Sequence, residues 1–176
     1  MPGLEQGLVQ VYTGSGKGKT TAALGLVVRA AGWGLRSLII QFMKSQPSGE
    51  REALRRLAPC VTLEEYGRPG FLRKGRVEPE DIAVARRGLA RAREAVLGGE
   101  YDVVVLDEVN TAVFFGLLSE QEVLDLVAAK PPYVELVLTG REASEGLLTR
   151  ADLVTRMTEE KHPYGRGIGA RRGIEY

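Results

Sequence analysis

The chain has 176 residues, of which 44% are hydrophobic and 27% charged, with a formal net charge of +1. That length suits one domain with a substantial core, and so small a charge gives no global attraction to nucleic acid. The apolar runs are strand-length, too short for a membrane helix. Met1 to Gln6 lacks the basic and apolar regions of a secretory signal, and the single Cys60 excludes an internal disulfide or a cysteine-cluster metal site, so a cytoplasmic location is expected.

Leu8 to Tyr12 alternates as a strand, and Thr21 to Ala30 carries a helical pattern. Between them lies Thr13-Gly14-Ser15-Gly16-Lys17-Gly18-Lys19-Thr20. Strand, glycine-rich turn and helix is the context of a phosphate-binding loop. The three glycines let the backbone curl so that its N–H groups face inward, and the helix start adds further donors and a positive dipole end. Lys19 supplies a charge for the outer phosphates, and the Thr20 hydroxyl suits Mg²⁺. The loop is a variant, because Thr13 stands where the usual G-x-x-x-x-G-K-[ST] pattern has glycine, and Lys17 is an additional lysine within it.

A second strand, Arg36 to Phe42, is apolar enough to be buried on both faces, as in a parallel sheet. Lys44 follows its carboxyl end, where ligands gather in open α/β sheets; a solvated loop lysine is the other reading. Glu50 to Leu57 has the composition of a short helix, and Val61 to Tyr66 that of a strand. A basic, glycine-rich loop, residues 67–76, holds one aromatic residue, Phe71. Glu80 to Leu97 forms an arginine-rich helix with a solvated face, ended by Gly98-Gly99.

Tyr101 to Glu108 is the second strong signal, an apolar strand closed by Asp107 and Glu108. A buried strand that ends in carboxylates calls for a cation, as at a Mg²⁺-nucleotide site. Strand alternation sends Asp107 and Glu108 to opposite sides, so one of them faces the metal, with Glu108 preferred. Ser119 and Glu122 form a capping box for a helix to Ala129, stopped by Pro131-Pro132. Tyr133 to Thr139 is a strand, Glu142 to Arg150 a helix and Leu153 to Met157 a last strand. The tail, residues 158–176, is basic and glycine-rich without periodicity, and holds the only histidine, His162. Alone it has the look of a disordered end; ordering over a nucleotide or a neighbouring subunit is the alternative.

The whole is expected to be a single α/β domain, residues 1–176, with a mostly parallel sheet between helices. Asn110, the only asparagine, is followed by Thr111, so no Asn-Lys-x-Asp guanine motif exists. The residues support an ATP-using protein that positions groups and balances charge.

Several stretches together resemble the P-loop type ATP:corrinoid adenosyltransferases. They are residues 13–23, Gln41 to Lys44, Leu106-Asp107-Glu108, Leu138 to Arg141, Ala151 to Thr155, Lys161-His162-Pro163 and Gly173 to Tyr176. The resemblance covers nearly the whole chain, and the threonine-first loop is itself the form found in that family. It implies a RecA-like P-loop fold in which cobalt(I) of a corrinoid attacks the 5′ carbon of ATP and expels triphosphate. The corrinoid then brings its own nucleophile. The resemblance further implies a nucleotide reversed along the loop, a homodimer, and an electron donor such as reduced flavin or a flavodoxin-like protein. The implied catalytic residues are Lys19, Thr20 and Glu108, with Thr20, Asp107 and Glu108 at Mg²⁺. The implied ligand contacts are residues 13–21 (Thr13, Gly14, Ser15, Gly16, Lys17, Gly18, Lys19, Thr20 and Thr21) with Lys44, Phe71, Arg141 and His162.

Three positions depart from the family pattern. Arg73 stands for the tryptophan that commonly follows the Phe71 position, Arg156 for an acid, and Arg171 for a glutamine. A P-loop kinase or NTP hydrolase, with Glu108 orienting water, and a non-catalytic nucleotide switch are the other readings of the loop and the acidic strand.

Overall fold

The computed structural model describes residues 3–44, 48–68 and 77–175. Its six strands are β1 (Val9–Thr13), β2 (Ser37–Phe42), β3 (Val61–Tyr66), β4 (Val103–Asp107), β5 (Glu135–Thr139) and β6 (Leu153–Arg156). They form one sheet in the order β3-β2-β4-β5-β1-β6, and every pairing is parallel. The helices are α1 (Lys19–Gly32), α2 (Gly49–Arg55), α3 (Pro79–Leu97), α4 (Val109–Phe114), α5 (Glu120–Ala129) and α6 (Glu145–Arg150).

The continuous apolar runs have the burial they require. Every residue of β2, β4 and β5 is buried, whereas β6, at the sheet edge, is exposed throughout. Helices cover both faces. Ala23, Val27 and Ala30 of α1 and Leu54 of α2 pack with Ile39, Val105 and Val137 on one side. On the other, α3, α4, α5 and α6 pack on Leu38, Ile40, Leu106, Leu136 and Leu138. Odd and even positions of each central strand thus feed separate cores, as the two-residue strand period demands.

Helix α3 turns small residues inward, Ala85, Gly88, Ala92 and Ala95 among them, and leaves Arg86, Arg87 and Arg93 exposed. A Cβ at Gly88 would lie 2.9 Å from both the Phe42 and Tyr66 rings, so glycine lets the helix sit close on β2 and β3. Helix α5 carries the expected capping box. Ser119 Oγ accepts from the Glu122 amide at 3.2 Å, and Glu122 Oε2 accepts from the Ser119 amide at 2.8 Å.

Two segments differ from the sequence reading. Helix α4 is too short to show a periodic pattern, and the sequence assigns nothing there. The tail is not featureless: Pro163–Arg166 forms a 3₁₀ turn, and residues 171–175 fold into a second turn. Among the described residues no helix is long and apolar enough to cross a membrane.

Strand order dictates where a ligand meets this sheet. The chain leaves β1, passes over β5 and β4 to reach β2, and later returns to place β5 beside β1. The crevice at that switch lies beyond the carboxyl ends of the strands, where Thr13, Asp107 and Thr139 end β1, β4 and β5. Truncating the fully buried Leu106 in the strand that carries Asp107 is expected to cost about 3 kcal/mol. A urea titration of Leu106→Ala with an unchanged m-value checks this.

Candidate active site at the carboxyl edge of the sheet

The loop between β1 and α1 is held by the segment that follows β6. The Met157 amide donates to the Thr13 carbonyl, and the Gly16 amide donates to the Met157 carbonyl, both at 2.8 Å. Gly14, with φ of 101°, could not carry a side chain, because its Cβ would fall 2.3 Å from the Met157 carbonyl oxygen. A Cβ at Gly16 would lie 2.8 Å from the Thr158 backbone. One expectation is corrected here: the Gly16 amide points to Met157 rather than joining an inward nest. Thr13 at the first loop position is buried, and its hydroxyl accepts from the Ala143 amide at 3.2 Å. That contact ties the loop to the segment after β5, which glycine could not do.

Lys19 is 7% exposed, and its ammonium donates to the Gly14 and Gly16 carbonyls at 2.8 and 2.6 Å. Burial lowers its pKa; Glu108 and Asp107 oppose that shift and Arg141 adds to it. Ser15 and Thr21 are exposed, as is Lys17, which reaches the tail.

Asp107 is the centre of the site. It is fully buried, and its two oxygens accept four hydrogen bonds. Oδ1 takes the hydroxyls of Thr20 and Thr139 at 2.8 and 2.7 Å; Oδ2 takes Gln41 Nε2 at 3.0 Å and Lys44 Nζ at 2.9 Å. Burial would raise its pKa, but the Lys44 ammonium and the hydroxyl donors outweigh it and hold the carboxyl below its usual 3.8. A depressed carboxylate stabilises the fold fully above the usual value, and that contribution is lost as pH falls through the lower, folded value. Lys44 is shifted up: burial opposes its charge, and the Asp107 carboxylate prevails.

Glu108 does not follow the strand alternation expected of it. β4 ends at Asp107, and Glu108 adopts a left-handed conformation, φ 64°, as the cap of α4. Its amide donates to the Thr139 hydroxyl at 3.0 Å, and its carboxylate accepts from the Thr111 hydroxyl at 2.6 Å. Thr111 accepts in turn from the Arg141 amide at 3.0 Å. A relay of threonine hydroxyls therefore joins Asp107, Glu108 and Arg141 across the ends of β4 and β5. Met43 after β2 and Glu142 after β5 are also left-handed, with φ of 61° and 53°. Each such non-glycine residue costs about 1 kcal/mol or more, and here the strain clusters at the carboxyl edge, as at functional sites.

Arg141 and His162 line one open cavity of about 510 Å³ with Glu159, Glu160, Lys161 and Tyr164. His162 also caps the 3₁₀ turn, Nδ1 accepting from the Tyr164 amide at 3.1 Å. The structure thus brings Thr20, Lys44, Asp107 and Glu108 into one hydrogen-bonded neighbourhood with Gln41, Thr111 and Thr139. Phe71 and Arg73 lie outside the described residues. Gln41, Thr111 and Thr139 are absent from the sequence-derived site set, although Gln41 carried a signal: a polar residue inside the apolar run Leu38 to Phe42.

Thr20, Asp107 and Glu108 offer the hard oxygen donors that Mg²⁺ takes. Among the described residues no cluster of three or more His, Cys, Asp or Glu could hold a metal ion by itself. That donor set fits a Mg²⁺ shared with phosphate oxygens and water, which is how this ion is bound beside nucleotides.

A family model described as ATP:corrinoid adenosyltransferase BtuR/CobO/CobP matches residues 5–176. The chain is similar to the corrinoid adenosyltransferase of Pseudomonas aeruginosa, 36% identical over 173 residues that cover 98% of this chain and 85% of that protein. It is 35% identical over 178 residues to the corrinoid adenosyltransferase of a Sinorhizobium species, covering 98% and 81% of the two chains. The Escherichia coli corrinoid adenosyltransferase is 33% identical over 173 residues, covering 98% and 87%. Among solved structures, a KaiC-like protein from the archaeon Pyrococcus horikoshii OT3 superposes with a TM-score of 0.56 at 17% identity, covering 89% of this chain and 75% of that one. That likeness concerns the fold alone, a RecA-like P-loop fold.

Replacing Thr139 by valine leaves the buried Asp107 short of a donor and the Glu108 amide short of an acceptor. The expected cost is about 1–3 kcal/mol of stability, with most of it recovered by Thr139→Ser. Denaturant unfolding of the two variants side by side checks the hydroxyl's role.

Proposed function

The chain belongs to the ATP:corrinoid adenosyltransferase family, and from that premise we propose that it moves the 5′-deoxyadenosyl group of ATP onto the cobalt(I) of a corrinoid and releases triphosphate. The electron pair comes from the reduced corrinoid, which is a substrate. That pair becomes the cobalt–C5′ bond; the C5′–oxygen bond breaks, and the triphosphate departs with the electrons of the broken bond.

The observation that carries this reading is the composition of the carboxyl edge. Lys44 and the hydroxyls of Thr20 and Thr139 bond the buried Asp107, and the Lys19 ammonium lies within the field of Asp107, Glu108 and Arg141. These groups supply charge and donors to a polyphosphate leaving group. The cysteine, Cys60, lies at the opposite edge, where its carbonyl accepts from the Ser37 amide at the start of β2. A reaction whose nucleophile arrives with the substrate suits such a site.

The chain's own tasks follow from the geometry. The loop residues 14–18, apart from the Gly16 amide that is bonded to Met157, hold the phosphates against the start of α1. Lys19 exchanges its loop carbonyls for phosphate oxygens, and its buried position keeps water from competing. Asp107 fixes Thr20, and through Thr20 the first turn of α1. Thr20 and the acidic pair would hold Mg²⁺ beside the phosphates, where it would supply charge neutralisation to the leaving group. On the same footing we assign a homodimer in the cytoplasm that receives electrons from reduced flavin or a flavodoxin-like protein, in adenosylcobalamin synthesis or salvage.

The test supplies corrinoid, a strong chemical reductant and Mg-ATP, and follows the alkyl-cobalt absorbance together with the phosphate products. One triphosphate per adenosylated corrinoid is expected, and Lys19→Ala should lower turnover about 100-fold while the variant stays folded by circular dichroism. Release of diphosphate or orthophosphate without alkyl-cobalt would contradict the reading.

A further inference from the structure

The tail reaches back to the phosphate loop. Lys17 Nζ donates to Glu175 Oε1 at 3.1 Å and to the Ile174 carbonyl at 3.2 Å. The residues are 158 positions apart, so this is a tertiary clasp. The turn that presents Glu175 is built for it. Gly173 takes φ 80°, and the Glu175 amide donates to the Arg171 carbonyl at 2.9 Å. Arg171 completes the turn, its amide and guanidinium donating to the Glu175 carboxylate at 2.7, 3.1 and 3.2 Å. Hydrogen bonds from the Arg171 side chain and backbone, with Lys17, pull the Glu175 carboxyl down to about 2, so it is charged at neutral pH.

The two loop lysines are therefore engaged differently. Lys19 is buried on carbonyls of its own loop. Lys17, with its side chain half exposed, is held by a carboxylate from the other end of the chain. We propose that Glu175 sets the affinity of the phosphate loop, as a built-in competing anion that occupies Lys17 and gives it up when a triphosphate binds. This rests on the reading of residues 13–20 as a triphosphate site.

The physical reason is charge. A polyphosphate on the loop offers the Lys17 ammonium a more highly charged partner and repels a carboxylate beside it. Ligand and clasp then cannot both be at full strength, and linkage makes the opposition reciprocal: the clasp weakens the ligand by the factor by which the ligand weakens the clasp. In turnover the tightly held anion is the product, and a carboxylate returning to Lys17 favours its departure.

The test titrates inorganic tripolyphosphate with Mg²⁺ into the full chain by calorimetry. Glu175→Gln, which keeps the shape and removes the charge, should bind about fivefold more tightly, the scale of one exposed ion pair. The gain should shrink at high salt, and Glu175→Asp should stay near the unsubstituted protein. Hydrogen exchange of amides 171–175 in the unsubstituted protein should speed up when tripolyphosphate is added. Equal or weaker binding by Glu175→Gln overturns the proposal, as does tail exchange that is unchanged or slowed by the ligand. No binding of tripolyphosphate by the unsubstituted protein would instead overturn the reading of the loop, and the proposal with it.

Discussion

A carboxylate removed from water must find its hydrogen bonds within the protein. Asp107 is that group, and the site is built around meeting its needs. Its donors come from four different segments: Thr20 from α1, Gln41 from β2, Lys44 from the loop beyond β2, and Thr139 from β5. Satisfying one buried charge therefore fixes the relative positions of three strand ends and a helix start. Loss of any one donor would leave part of a buried carboxylate unsatisfied, at a cost of about 1–3 kcal/mol.

Around that centre the backbone is bent in ways that the rest of the fold must enforce. Met43, Glu108 and Glu142 are left-handed where β2 and β4 end and just after β5. The threonine relay through Thr139 and Thr111 holds Glu108 in that conformation. The phosphate loop is fixed from outside by Met157 and Thr158, so the exposed edge strand β6 serves the site through the segment that follows it. Packing, strain and site chemistry meet on one edge of the sheet because a parallel sheet puts all its carboxyl ends there.

Much of this was legible in the residues. The alternation of strand and helix patterns gives the α/β architecture, β3 spans Val61–Tyr66 in both readings, and the Ser119–Glu122 box marks the start of α5. Lys19, Thr20 and the Asp107–Glu108 pair stand out because a glycine loop and an acid-ended strand have local signatures, although the preference within the pair falls on Glu108. What stayed hidden depends on distant partners. Strand alternation misplaces Glu108 because the strand ends one residue earlier, a tertiary effect. Thr139 lies 32 residues from the carboxylate it serves, and Gln41 lies 66 away. The tail shows no period because its order comes from Lys17 and from the Arg171–Glu175 turn. Phe71, assigned from the family resemblance, lies outside the described residues.

The central claim is that the site presents the whole triphosphate as a leaving group from carbon, rather than passing a phosphoryl group to an acceptor. The most direct measurement uses ATP carrying ¹⁸O in the bridge between C5′ and the α-phosphorus. With reduced corrinoid and Mg²⁺ present, the account predicts that all of the label leaves in triphosphate, because the C5′–oxygen bond breaks. Label that remains with the adenosine moiety would mean that a bond to phosphorus is cleaved, and would contradict the account.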